Sequence, residues 1–330
     1  MARCRELADG EAITALRAGV AGAGHLGTWH ARKYAELAGV ELVAVYDVDV
    51  DKAAQLAAEL NCRVAVDEAD LHSSVDVLSV AVPTVAHEQV GVAALQAGVH
   101  LLIEKPLAHD LESGRRIVAA ATAAGRVLQV GHLERFNPVF SSLKETVDEA
   151  RFIECHRLSP FAGRGTDVDV VRDVMIHDLD LVEYLVGKPV VSIEGIGVPV
   201  LSDTIDIANV RLRFEGGCVA NMTASRVSLK KERKMRVFQE DAYVSIDFDS
   251  GRVMVARRGS EPRDPAQPMS GIKAEETLLS NGDPLKTQAQ AFLDCVRTGS
   301  KPVVDGEQGL RALELAERVV HALEVPGALS

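Results

Sequence analysis

Apolar and polar positions alternate in two different ways along this chain, and the pattern changes near its middle. In the first half, short, almost continuously apolar runs rich in β-branched residues (Ala15–Ala21, Glu41–Tyr46, Val75–Val82, His100–Ile103 and Val127–Val130) are separated by stretches rich in Ala, Glu and Gln (Gly27–Leu37, Asp51–Leu60, Val85–Ala97 and Leu111–Ala124). A strand that is apolar throughout is covered on both faces, and the intervening stretches consist of good helix formers. The pattern therefore predicts a parallel sheet with crossover helices. Gly39, Gly98 and Gly125 stand where those helices would end.

The second half predicts a different layer. Strict alternation runs through Val190–Val200, Ile205–Phe214, Cys218–Val227, Met235–Gln239, Ala242–Phe248 and Val253–Ala256, with turn signals at Glu215-Gly216-Gly217 and Asp249-Ser250-Gly251. This is a mostly antiparallel sheet with one face open to solvent or to an interface. A strand at Phe152–Leu158 and helices at Pro138–Ala150, Val170–Val186, Pro284–Arg297 and Gly306–Leu323 complete it, and the stretch from Arg257 to Asn281 reads as a polar loop.

A chain of 330 residues has room for two such domains without disulfides or a structural metal. The expected division is an N-terminal extension over 1–13, a first domain over 14–137 and a second over 138–330. Lys and Arg number 36 against 48 Asp and Glu, a net charge of −12, so general attraction to nucleic acid or to an anionic membrane has the wrong sign. No apolar run is long enough to span a bilayer, and the opening residues carry charge where a signal peptide needs its apolar region; the expectation is a cytoplasmic protein. Five scattered cysteines, none in a C-x-x-C pair, read as reduced thiols, and no metal site is expected.

Three constellations carry chemistry. Gly22-Ala23-Gly24-His25-Leu26-Gly27 follows a predicted strand and opens a predicted helix. The first glycine permits a tight turn, the second lets backbone approach a pyrophosphate, and the third lets helix pack on strand, with the helix N-terminus facing the anion. Asp47 ends the second strand twenty positions after Gly27, where a carboxylate would accept the adenosine ribose hydroxyls. It would also repel a 2′-phosphate, and no arginine follows in Val48–Asp51, so NAD is favoured over NADP. A turn that merely packs, or a site for FAD or S-adenosylmethionine, is the competing reading.

Glu104-Lys105-Pro106 follows the strand His100–Ile103, and strand carboxyl ends border the ligand crevice of such sheets. Lys105 could reach a substrate oxygen there, or be a solvated loop lysine. Asp173, His177, Asp180 and Tyr184 share one helix face, opposite an apolar stripe of Val171, Met175, Leu179, Val182 and Val186. Carboxylates beside an imidazole suit acid–base work near neutral pH, yet the same spacing describes an ordinary solvated face.

Taken together, these motifs resemble the Gfo/Idh/MocA family (glucose–fructose oxidoreductase, inositol dehydrogenase and rhizopine catabolism) of NAD(P)-dependent dehydrogenases. The likeness runs from about Thr14 to about Leu323 and includes Pro83-Thr84 with His87, Gly131-His132-Leu133-Glu134-Arg135-Phe136-Asn137-Pro138, and Asp173 with His177. It implies an N-terminal Rossmann domain and a C-terminal α/β domain with a large, mostly antiparallel open sheet that serves as the interface of a homodimer or homotetramer. It also implies that Pro83, Thr84, His87 and Glu104 join the glycine turn in holding the cofactor, that Lys105 lies in the active site, that His177 accepts the proton, and that Asp173 contacts the substrate. Many members have Gly where this chain has Met175, which falls on the apolar stripe.

Gly131–Pro138, Val170–Val186 and Ser225-Arg226-Val227 most resemble bacterial nucleotide-sugar dehydrogenases acting on the 3-hydroxyl of UDP-N-acetylglucosamine. A UDP-sugar brings a pyrophosphate that needs cations; Arg135, Arg164 and Arg172 lie in or near these motifs, with Asn137 beside them. The basic run Lys230–Arg236 reads as a solvated strand face. Two other classes share this fold, a dinucleotide-sensing regulator without catalysis and a reductase of a non-sugar such as a tetrapyrrole.

Overall fold

The computed structural model describes residues 15–161, 168–259, 271–280 and 282–324. The chain divides into two compact units. The first comprises the described residues up to Leu133 together with Leu285–Leu310, and the second comprises Glu134–Pro284 and the residues from Arg311 onward. The boundary falls four residues before the expected one, and a late segment returns to the first unit.

The first unit runs β1 (Leu16–Ala21), α1 (His25–Glu36), β2 (Val40–Tyr46), α2 (Val50–Leu60), β3 (Arg63–Val64), α3 (Glu68–Ser74), β4 (Val77–Val80), α4 (His87–Gln96), β5 (His100–Ile103), α5 (Leu111–Ala124) and β6 (Leu128–Val130). All six strands pair in parallel, in the order β3-β2-β1-β4-β5-β6. This is the doubly wound order, which reverses between β1 and β4 and leaves a crevice at the strands' carboxyl ends. Val20, Val77, Leu78, Val80, Leu101 and Ile103 are fully buried, as strands covered on both faces require. Sequence reading missed β3 and α3. A two-residue strand is too short to show a period, and α3 begins on an Asp67 cap in a polar stretch.

The second unit contains α6 (Pro138–Thr146), β7 (Phe152–Leu158), a π-turn over Val171–Met175 that runs into α7 (Ile176–Val186), β8 (Val190–Val198), β9 (Ile207–Phe214), β10 (Val219–Ser225), β11 (Glu232–Phe238), β12 (Ala242–Asp247), β13 (Arg252–Arg258) and β14 (Ile272–Leu278). The chain then forms α8 (Pro284–Thr298), α9 (Gly306–Ala322) and β15 (Leu323–Glu324). Nine strands lie in the order β14-β13-β12-β11-β7-β10-β9-β8-β15, antiparallel except for the pairs β7/β10 and β8/β15.

Alternation decides which face is covered. On β9, Ala208, Val210, Leu212 and Phe214 are buried and Asn209, Arg211 and Arg213 exposed. The inward residues join Val139 and Phe140 of α6, Leu179 and Val182 of α7, and Leu315 and Val319 of α9 in one core. The other face is a polar ladder: Asn209 donates to Thr223 at 2.8 Å, Arg211 to Asn221 at 2.9 Å and Arg236 to Glu154 at 2.7 Å. The basic run Lys230–Arg236 thus largely becomes β11, with Arg236 on that ladder. Within the stretch expected to be a polar loop, Ile272–Leu278 is an edge strand. Its residues are almost all exposed, so backbone pairing with β13 forms it without any apolar period to announce it. Among the described residues, no helix is long and apolar enough to cross a membrane.

Candidate active site

The turn after β1 shows why three glycines are needed. Gly22 has φ of +97°, and a Cβ there would lie 2.4 Å from the Ala81 carbonyl oxygen; at Gly27 a Cβ would lie 1.7 Å from the oxygen of Gly22. Both are internal requirements of strand–helix packing. Gly24 differs: nothing lies within 4 Å of where its Cβ would be. Its bareness leaves backbone open to a group outside the chain.

The helix that follows is built to receive an anion. Gly24 caps α1 with no side-chain hydrogen bond, and the first turn holds no acidic residue. By contrast, α2, α3 and α5 are capped by Asp49, Asp67 and Asp110, each with a further carboxylate in the first turn. The first N–H groups of α1 and its positive dipole end therefore lack the internal anion that those helices carry. Asp47 joins this turn directly: Oδ2 accepts the Ala23 N–H at 2.6 Å and Oδ1 accepts the Asp49 N–H at 2.8 Å. A carboxylate has about four acceptor directions, so each oxygen can still take a ribose hydroxyl. The residues fit a dinucleotide. His25 and Leu26 occupy the first turn of α1, with the His25 ring edge-on to Trp29.

At the crevice end of β5, Glu104 is buried. Its Oε1 lies 2.7 Å from His30 Nε2, and its Oε2 accepts the Lys105 N–H at 3.3 Å. A Cβ at Gly131 would come within 2.8 Å of that carboxylate, so the exit of β6 is shaped around it. Burial opposes charge on Glu104, but the His30 hydrogen bond and the nearby Lys105 outweigh it, and the carboxyl stays below its ordinary range. Glu104 was expected to hold cofactor; both its oxygens are engaged within the protein.

The same holds for His87, expected from the family likeness as a cofactor contact. Its ring is buried. Nδ1 lies 3.0 Å from the Pro106 carbonyl and 3.3 Å from that of Leu107, and Nε2 lies 3.1 Å from that of Val82. The imidazole bridges the loops after β4 and β5, and so braces the segment that carries Lys105. Burial pulls its proton affinity below the usual value. Pro83 and Thr84 lead into the short turn Thr84–Ala86 ahead of α4.

In the second unit, Asp173 stands in the π-turn and His177 in the first turn of α7. The regular spacing assumed from the sequence is broken there: the Ile176 N–H reaches back to Val171, five residues away, which re-aims Asp173 relative to an α-helical face. Met175, Leu179 and Val182 are buried as the apolar stripe requires. The polar face is not simply solvated. Asp180 is buried and takes Arg135 through both oxygens, at 2.7 and 3.0 Å, while Asp178 takes Arg157 at 2.7–3.1 Å.

Two residues expected to meet substrate are thereby engaged elsewhere. Arg135, offered by its motif as a cation for a pyrophosphate, is buried against Asp180 with its guanidinium 3.6 Å from the Tyr184 ring centre. Asn137 caps α6 through the Val139 N–H at 3.0 Å and donates to Glu134 at 3.2 Å. Arg172 pairs with Asp169 at 2.5 Å, while its buried Nε has no acceptor among the described residues. Arg164 lies outside the described residues.

Sequence reading missed His30, Ser79 and Tyr34, which form a buried chain behind Glu104. His30 falls on the α1 stripe with Gly27, Ala31 and Tyr34 that packs on the sheet, so its place in the core was the available signal. It also missed the pairing of Arg157 with Glu134 and Asp178, which only the fold brings together.

Comparison with known proteins agrees with this geometry. Residues 16–132 match the Gfo/Idh/MocA model described as an oxidoreductase family with an NAD-binding Rossmann fold, and residues 166–324 match the C-terminal α/β domain of the same family. The UDP-N-acetylglucosamine 3-dehydrogenase of Acidithiobacillus ferrooxidans is 37% identical over 94% of this chain and 97% of its own. A solved structure of that enzyme superposes with a TM-score of 0.88, covering 93% of this chain and 97% of the other. The inositol 2-dehydrogenase of Pseudomonas fluorescens is 27% identical over 93% of this chain and 94% of its own.

Proposed function

We propose, from the premise that this chain belongs to the Gfo/Idh/MocA family of NAD-binding oxidoreductases, that it oxidises the 3-hydroxyl of UDP-N-acetylglucosamine or a close nucleotide sugar. Similarity to a dehydrogenase of that substrate along nearly the full length of both chains supports the substrate class. The observation that carries the redox reading is the bare Gly24 backbone ahead of an uncapped α1, closed by Asp47. Asp47 with no arginine in Val48–Asp51 favours NAD over NADP.

NAD, when bound, supplies the hydride acceptor, and the protein supplies orientation and proton handling. His177 takes the proton from the substrate hydroxyl, and Asp173 holds that hydroxyl. Lys105, on a loop braced by His87, donates a hydrogen bond to the oxygen as negative charge develops. Arg172, at the start of the turn that carries Asp173, is the cation offered to the substrate's pyrophosphate, its guanidinium held by Asp169. The open polar face of the nine-stranded sheet, with the Phe152, Phe238 and Tyr243 rings in tilted contact at 5.0–5.5 Å along it, is the surface through which the chain forms a homodimer or homotetramer.

The test is NADH formation with UDP-N-acetylglucosamine, other UDP-sugars, free sugars and inositols. The nucleotide sugar is expected to react, and His177→Ala to lower its turnover by about 10²–10⁴-fold with NAD affinity unchanged. Oxidation of inositol alone would move the substrate to the other relatives. Full turnover in His177→Ala would remove that residue from the chemistry.

A further inference from the structure

We infer that His30 is a positioning residue for Lys105, acting through Glu104 at the head of a buried hydrogen-bonded chain. This rests on the reading of Lys105 as the group beside the reacting oxygen. The chain has four members, two from α1, one from β4 and one from the loop after β5. Tyr34 Oη lies 2.8 Å from Ser79 Oγ, Ser79 Oγ lies 3.1 Å from His30 Nδ1, and His30 Nε2 lies 2.7 Å from Glu104 Oε1. Tyr34 and Ser79 are fully buried, and His30 and Glu104 nearly so.

The direction of the hydrogens is fixed from both ends. An ionised carboxylate only accepts, so His30 Nε2 carries the hydrogen that meets Glu104. At the far end the Tyr34 hydroxyl has Ser79 as its one partner among the described residues, and an unmade bond there would leave a buried donor unsatisfied. Tyr34 therefore donates to Ser79, Ser79 donates to Nδ1, and Nε2 donates to Glu104. Each donor has one acceptor, and one imidazole tautomer satisfies all four groups. Burial pushes the Tyr34 phenol well above its ordinary range, which keeps its hydrogen in place.

The chain ends inside the protein, since Tyr34 is enclosed, so it orients and does not conduct protons to solvent. Its consequence is local. A buried carboxylate without a donor takes up a proton. The His30 hydrogen keeps Glu104 ionised and aimed, with Oε2 on the Lys105 backbone N–H and its charge close to the Lys105 ammonium. The titratable groups that face Glu104 are His30 from α1, Lys105 from its own loop and His87 from α4, and at the exit of β6 Gly131 packs against the carboxylate with the buried His132 next to it in the chain.

The experiment compares His30→Met, which removes both ring nitrogens, with His30→Gln, whose amide can still donate to Glu104. In isotope-labelled, NAD-loaded protein, the Glu104 carboxyl titration is expected to move up by about one unit or more in His30→Met. The Lys105 ε-methylene resonance, assigned by its loss in Lys105→Arg, is expected to shift with it, and both are expected to return toward wild type in His30→Gln. If His30→Met does not fold, Ser79→Ala and Tyr34→Phe are expected to move the same signals in the same direction, Ser79→Ala further. Unmoved Glu104 and Lys105 signals in a folded variant would overturn the inference, as would equal effects of Met and Gln. These spectra need no sugar substrate. A failure to oxidise any UDP-sugar would therefore count against the proposed function and leave the His30 result readable.

Discussion

Gly24 and Gly27 lie three positions apart, and substitution of each by alanine should fail in a different way. A methyl group at 24 enters open space, so Gly24→Ala is expected to lower stability by no more than about 1 kcal/mol, the scale of an N-cap change, while NAD binding weakens at least about tenfold. At 27 the methyl meets a backbone oxygen that has no rotamer by which to leave, and Gly27→Ala is expected to cost about 3 kcal/mol or more whether or not NAD is present. Thermal melts with and without NAD separate the two. Asp47→Ala is expected to shift cofactor preference toward NADP, read as the ratio of kcat/KM for the two nucleotides; an unchanged ratio would end the assignment of Asp47 to the ribose. At this scale the sequence was most legible where a residue's role is local. The glycine turn and Asp47 depend on a short stretch of chain whose geometry follows from its own composition. His30, Glu104 and His87 owe their partners to neighbouring strands, and neither spacing nor charge shows those partners.

Among the elements, α7 is where periodicity both succeeded and failed. The stripe of Met175, Leu179 and Val182 was readable, because burial at helical spacing is what a core demands. The π-turn before it was not, and neither was the burial of Asp178 and Asp180, which depends on arginines brought from β7 and from the turn before α6. Arg135 and Asp180 form a buried pair, and removing Arg135 takes two charge-assisted hydrogen bonds from a buried carboxylate. Arg135→Ala is expected to cost about 3–5 kcal/mol in urea unfolding, and Arg135→Met with Asp180→Leu to recover most of that. A small loss in Arg135→Ala would mean that the guanidinium is available to substrate after all. The edge strand β14 shows the converse limit, since hydrogen bonds to a neighbour can make a strand from residues with no apolar period.

For the molecule as a whole, three buried or half-buried histidines set the response to acid. Burial is the main cause that holds His72, His87 and His100 below the usual value of about 6.5, with Arg126 adding to it at His100. The unfolded chain therefore takes up protons first as pH falls, so stability is complete above about pH 6.5 and declines below it, toward the lower values of the folded state. Urea unfolding at pH 8, 6.5 and 5.5 is expected to show that decline; a flat profile would mean that these rings are solvated. The two sheets, one parallel and one mostly antiparallel, were legible in outline, from unbroken apolar runs in one half and alternation in the other.

What the pattern did not show is that α8 completes the first core. Ala289, Phe292 and Leu293 pack there beside Tyr34, Val77 and Leu102, and the Val130 N–H reaches the Val304 carbonyl at 2.9 Å. During synthesis the nucleotide-binding half must consequently wait, its hydrophobic side bare, until residues near 310 have left the ribosome. A fragment stopped at Leu133 is expected to aggregate, and a peptide spanning 285–310 added in trans to rescue it.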